Sequence, residues 1–292
     1  MSIKRALLWV AFWTSLALLF DLGIYFWPAK QIAAIFHLKD YVWPGREYAL
    51  QFLGGYIIEQ SLSLDNLFLF LLIFSSFKIP TAYQRRVLNY GIIGAIILRM
   101  IFIVLGVAVI NRFHWVLYIF GLLLIFSGFK MCFEKEKTPE FQANHPVFRL
   151  LGKLIPVSAT LEDEKFFIHK NRTLYATPLL AILIIIEFSD ILFAIDSIPA
   201  IFSITTNPFI VYTSNIFAIL GLRSLYFVLE KLHNAFRYVK YGVALILVFT
   251  GIKLTALFFN FEISIGLSIA VIFGILVLSI LISVLHPEKT ED

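Results

Sequence analysis

Apolar residues run on in this chain for the length of a bilayer crossing, eight times over, with charge confined to the gaps. The runs cover residues 6–27, 48–75, 87–110, 113–131, 178–203, 209–229, 236–258 and 262–285. A helix needs about 20 consecutive apolar residues to span the hydrocarbon. The chain is therefore expected to be all-α, a polytopic membrane protein of about eight transmembrane helices. With 60% hydrophobic residues, 15% charged residues and a mean hydropathy of +0.88, the composition excludes an ordinary soluble domain. Lys4 and Arg5 before the first run resemble the start of a secretory signal peptide. That run exceeds the usual apolar core of roughly 7–15 residues, and no small-x-small cleavage site precedes Pro28, so the first span is expected to be retained.

Basic residues set the expected orientation. With eight spans, one side carries the N-terminus, the loops at 78–86, 130–172 and 231–240 and the C-terminus, which together hold 17 lysines and arginines. The other side has Lys30, Lys39, Arg46, Arg112 and Lys253, while Arg99 and Arg223 lie inside spans. The positive-inside rule then puts both termini in the cytoplasm. The pI of about 9.2 expresses this bias and does not point to nucleic acid.

Two spans carry the same arrangement of acids. Glu59 and Asp65 stand six residues apart in EQSLSLDN, and Asp190 and Asp196 six apart in DILFAIDS, followed by Asn66 and Ser197 respectively. Glu187 adds a fifth acid one turn before Asp190. A carboxylate at membrane depth costs roughly 2.5–3.5 kcal/mol, so such residues point to ion or proton handling. Arg99 and Arg223 occupy matching places one helix later, and Tyr118, Phe126, Gly128 and Lys130 match Tyr241, Phe249, Gly251 and Lys253 at an offset of 123. Two inverted three-helix repeats are expected, an arrangement of secondary transporters whose sites lie near the midplane. The expected organisation is a first transmembrane helix and extracytoplasmic connection (1–47), the first repeat (48–132), a cytoplasmic loop (133–177), the second repeat (178–258), and a final helix and tail (259–292).

On a regular helix a six-residue step rises about 9 Å and turns about 240°, leaving the two carboxylates of one helix about 120° apart. A shared site needs local unwinding, for which Pro199 and the pair Gly54 and Gly55 are candidates, or ligands closing in from both repeats. Five acids against Arg99 and Arg223 as charge-balancing groups leave an excess of negative charge for a divalent cation or protons to offset. A purely structural network of buried ion pairs is the competing reading. The acid-bearing helices offer only oxygen-rich donors, including Ser61, Ser63 and Ser189, which suits manganese, magnesium or calcium better than copper or zinc. The six histidines scatter through loops and helix ends. The single cysteine, Cys132, forms no intrachain disulfide.

The residues EQSLSLDN, YQRRVLNYGIIGAIILR, EFSDILFAIDSIPAIF and NPFIVYTSNIFAILGLRSLYF, within 52–254, resemble the TerC family of integral membrane proteins and, within it, the Alx-like manganese exporters. The resemblance implies manganese(II) efflux across the bacterial inner membrane, with Glu59, Asp65, Glu187, Asp190 and Asp196 as the acids needed for transport. Asn66 and Ser197 join them by their place in the repeat. The transported ion is then Mn2+, protons are a candidate counter-ion, the lipid bilayer is the surrounding partner, and no cofactor is implied. Protein partners stay unassigned.

Two other classes compete. Paired aspartates could serve an intramembrane hydrolase, but neither a glycine-flanked aspartate of that kind nor an HExxH motif is present, so no enzyme is expected. A membrane chaperone or assembly factor delivering metal to other proteins is the nearer alternative. In the long loop, the alternation over 165–177 predicts a short hairpin. Glu162, Asp163 and Glu164 read as a solvated surface, and Asp21 as an acid near the outer end of the first span.

Overall fold

The computed structural model describes residues 3–26, 44–77, 79–133, 151–153, 155–158, 165–170, 173–232 and 238–285. Glu162, Asp163, Glu164, Lys30 and Lys39 lie outside them. The described chain has eight helices long and apolar enough to cross a membrane: α1 (Ile3–Tyr25), α2 (Gly45–Ser76), α3 (Thr81–Arg112), α4 (Val116–Phe133), α5 (Pro178–Phe202), α6 (Pro208–Leu232), α7 (Val239–Ala256) and α8 (Ile265–Leu285). α7 tightens into a 3-10 turn at Leu257–Phe259, closed by Asn260 in the left-handed region (φ 56°). The fold is that of an all-α polytopic membrane protein.

Burial separates central from peripheral helices. In α2, 73% of the apolar window is buried, against 17% in α4 and in α8 and 11% in α1. The peripheral helices turn Leu8, Phe126 and Leu278 outward. Exposed apolar side chains in such density are expected where lipid replaces water.

The helices of the two proposed repeats exchange their neighbours. α2 packs on α6 as α5 packs on α3, and α2 on α7 as α5 on α4. The most extensive contact in the molecule is the α4–α7 crossing, and it is reciprocal residue by residue. A β-carbon on Gly128 would lie 2.7 Å from the Ala244 carbonyl oxygen and from Val248, while one on Gly251 would lie 2.6 Å from the Gly121 carbonyl oxygen and 2.8 Å from Ile125. Adding 123 to the first member of each pair, and subtracting it from the second, turns one set into the other. Only glycine permits backbones this close.

The interior is apolar at both ends and polar between. One cluster gathers Ile58, Ile103, Ile198 and Ile246; a second gathers Phe70, Leu88, Ile186 and Tyr226. Between them lie the buried Arg99, Asp190 and Asn215. At the end where Tyr226 Oη donates to Gln84 Oε1 (2.9 Å), a two-stranded antiparallel hairpin, β1 (Phe167–Lys170) and β2 (Thr173–Ala176), seats on the bundle. Its register is Phe167 to Ala176 and Lys170 to Thr173, so the alternation over 165–177 does form strands. Phe166 stacks edge-on against Tyr90 of α3 and lies under the Arg86 guanidinium, fixing the hairpin to α3. Thr177 Oγ1 donates to the Lys165 carbonyl (2.7 Å) at the start of α5.

Both acid-bearing helices run unbroken. α2 continues through Gly54 and Gly55, which make room for Ile269 and Ser214 rather than a bend, and α5 continues through Pro199 to Phe202. The expected unwinding is thus corrected. Pro199 falls in the last turn of α5, where few backbone bonds remain to be lost.

Candidate functional site

Four helices meet on one guanidinium. Arg99 of α3, 1% exposed, donates from Nε (3.3 Å) and Nη2 (3.0 Å) to the two oxygens of Asp190 on α5. Its Nη1 donates to Glu59 Oε1 on α2 and to Asn215 Oδ1 on α6 (2.7 Å). A planar guanidinium matches a carboxylate in this two-pronged way, whereas an ammonium cannot. Glu59 and Asp190, matched by their place in the two repeats, are thereby joined. The knot spends one cation on two acids, leaving a formal negative charge where a charge is costly.

The remaining acid on α5 that turns away from this centre is Asp196. Its Oδ1 accepts a hydrogen bond from Ser127 Oγ on α4 (2.9 Å), and it also feels the charge of Lys130, one turn further along α4. The rotation of about 120° on a regular helix accounts for the divergence: Asp190 faces α3 while Asp196 faces α4. Glu187 takes a third direction. Its half-buried carboxylate lies against Gly94 of α3, where a β-carbon would overlap Oε1, Oε2 and Cδ at once. The midplane acids therefore occupy three stations rather than one pocket. Among the described residues, no three histidine, cysteine, aspartate or glutamate side chains converge closely enough to share a metal ion. The Asp65 side chain lies outside the described atoms.

Orphaned polar atoms mark the same neighbourhood. Glu59 Oε2, Asn66 Nδ2, Glu187 Oε2 and Ser197 Oγ are buried without a hydrogen-bond partner, as are Ser63 Oγ and Asn215 Nδ2. Ser61 and Ser189 are spent on their own helices, donating to the carbonyls of Ile57 (2.6 Å) and Ile185 (2.8 Å). An interior polar atom without a partner costs about 1–3 kcal/mol, so a cluster of them calls for water or an ion. Beside Asp190, a cavity lined by Phe70, Leu88, Gly91, Ala95 and Leu222 has about 20 Å³ of water-accessible space, room for one water.

Arg223 does not balance a carboxylate in this arrangement. Its Nη1 donates to Asn89 Oδ1 on α3 (2.8 Å), away from the acids. The geometry repeats even so, since the arginine of each second helix reaches an asparagine of the other. Lys253, expected on the outer side, is instead buried within α7 at 7% exposure.

Several functional groups escaped the sequence reading. Asn215 looked like any polar residue in a span, and nothing in the chain announces that Gly94 cradles a carboxylate. Ser127 had a signal: at the offset of 123 it matches Thr250, so both copies keep a hydroxyl beside the matched glycine.

The comparisons with known proteins agree with this architecture. The model of the integral membrane protein TerC family matches residues 45–291. The chain is 47% identical to a Salmonella typhi protein and 46% identical to one from Escherichia coli K12, over 97% of this chain and 85% of each relative. Both carry the name of a proposed membrane-bound redox modulator, Alx. A Myxococcus xanthus membrane protein is 45% identical over 98% of this chain and 84% of its own length. No solved structure matches. With a family model covering most of its length and full-length relatives far above chance identity, this chain is a member of the integral membrane protein TerC family.

Proposed function

We propose that this chain exports manganese(II) from the bacterial cytoplasm, by alternating access of two inverted three-helix repeats around midplane carboxylates. The observation that carries the reading is the set of unpartnered buried atoms on Glu59, Asn66, Glu187 and Ser197, four positions also marked by the internal repeat. Its oxygens are hard donors, suited to manganese, magnesium or calcium. The reciprocal α4–α7 crossing and the exchanged helix neighbours support the inverted repeat. In this reading Glu59 and Asp190 are the inner acids held by Arg99, and Asp65, Glu187 and Asp196 are the acids the ion meets on the way. Both termini and the hairpin face the cytoplasm of a bacterium with this protein in its inner membrane.

Export has an energetic consequence. Moving one charge against 100 mV costs about 2.3 kcal/mol, so a dication costs about twice that before any gradient. Protons entering as the ion leaves would supply the difference, with carboxylates exchanging one for the other.

The test is elemental analysis of manganese-loaded cells lacking their own exporter, with the chain, with its Glu187→Gln variant, and with neither. The chain should lower cellular manganese and the variant should not. Equal metal in all three sinks the reading and favours the chaperone or metal-delivery alternative, which needs no ion movement. In inverted vesicles, manganese uptake indifferent to a pH gradient would remove the proton coupling alone.

A further inference from the structure

The acids of the central layer have two kinds of cationic neighbour, and only one has been accounted for. Arg99 is immobilised by three partners on three helices. Lys130 sits at the end of α4 one turn beyond Ser127, on the side of Asp196, whose hydrogen bond to Ser127 Oγ is 2.9 Å. The offset of 123 carries Ser127 to Thr250 and Lys130 to Lys253, and the offset of 131 between the acid-bearing helices carries Asp196 to Asp65. The packing obeys the same exchange, with α4 against α5 in one half and α7 against α2 in the other. Lys253 is 7% exposed, and a lysine in the interior of a membrane helix is retained at a cost. Thr250 departs from strict equivalence, since its hydroxyl donates to the Ile246 carbonyl (2.8 Å) and leaves only lone pairs to face outward.

Resting on the transport reading above, we propose that Lys130 and Lys253 are resident counter-cations of the outer acids. Each repeat keeps one ammonium beside its six-residue-step carboxylate, Lys130 for Asp196 and Lys253 for position 65. The ammonium holds the carboxylate while the ion is absent and is displaced when the dication arrives. Lysine chemistry fits this role and arginine chemistry does not. The ammonium is a point charge on a flexible four-carbon stem, free to withdraw, while a forked guanidinium stays where its several bonds are. The displaced ammonium also repels the bound dication, which favours release and prevents the outer acids from becoming a trap.

The experiment uses the full-length chain in proteoliposomes, with Mn2+ as the probe, comparing wild type with Lys130→Gln and Lys253→Gln after each is shown monodisperse in detergent. Half-saturating Mn2+ should fall about tenfold as the competing charge is removed, and the maximal rate should fall with it, because release becomes slow. Arginine at either position should restore the weaker affinity without restoring the rate. A double-mutant cycle assigns the partners: Lys130→Gln should lose its effect in an Asp196→Asn background and keep it in Asp65→Asn, and Lys253→Gln the reverse. Lysine variants that match wild type in both affinity and rate overturn the proposal, and so does coupling with the wrong acid. If Glu187→Gln abolishes transport while the lysine variants are inert, the export reading stands and this inference alone falls. A wild-type chain that moves no Mn2+ overturns both.

Discussion

Arg99 and Arg223 hold corresponding places in the two repeats and have opposite surroundings. The first is sealed among Glu59, Asp190 and Asn215, and the second is half-buried, with a hydrogen bond to Asn89. A two-fold axis allows one cation near the centre at low cost; a second would meet the repulsion of the first. Duplication therefore supplies two candidates for one post. The lesson is that matching residues in the repeats need not do matching work.

The largest test of that contrast is removal of the central cation. Arg99→Met leaves Glu59 and Asp190 buried and uncompensated, a loss of about 3–5 kcal/mol. Heating detergent-solubilised protein before size exclusion should show the folded peak gone at temperatures the wild type withstands. Arg223→Met, losing only one partly exposed hydrogen bond, should shift the same curve by about 1 kcal/mol or less. Equal losses would mean the two arginines share the load.

Neutralising the whole knot sharpens the point. The triple variant Arg99→Met, Glu59→Gln, Asp190→Asn should regain most of the stability lost by Arg99→Met, since no charge is stranded. It should still fail to move manganese. A triple variant as unstable as the single one would show that the arginine acts through its shape and not its charge.

The glycines of α3 offer a finer comparison. Gly94→Val should expel the Glu187 carboxylate, cost about 1–3 kcal/mol as an overpacked site, and reproduce the transport defect of Glu187→Gln. Gly91→Ala meets nothing closer than Ile186 at 3.5 Å and should be nearly silent in both assays. The smallest effect expected is that of Phe166→Leu, which gives up the contact with Arg86, about 0.5–1 kcal/mol. Proteolysis of the loop before and after the substitution would detect the loosened hairpin.

How far the chain could be read in advance follows from which forces are local. Span lengths depend on hydropathy alone, so all eight helices were legible, and so was the hairpin from its alternation. The acids were legible as anomalies because a carboxylate in hydrocarbon is costly wherever it points. Their distribution was not. Whether Asp190 and Asp196 share a pocket depends on which helices lie on either side of α5, and that is settled by packing between residues far apart in sequence. Pro199 misled for a related reason: a proline's effect depends on how much helix follows it, and here only three residues do. Gly94 carried no signal, since a glycine that admits a carboxylate and one that admits a methyl group look alike in the chain.

The glycine crossing of α4 and α7 has a mechanical consequence. Where two backbones touch, sliding one past the other drives Ile125 and Val248 into the opposing chain, whereas a change of angle about the point of contact does not. Such a joint fixes how far apart the halves of the molecule stand and leaves their tilt adjustable. Because the joint is self-complementary, any tilt that parts the helices above it must bring them together below.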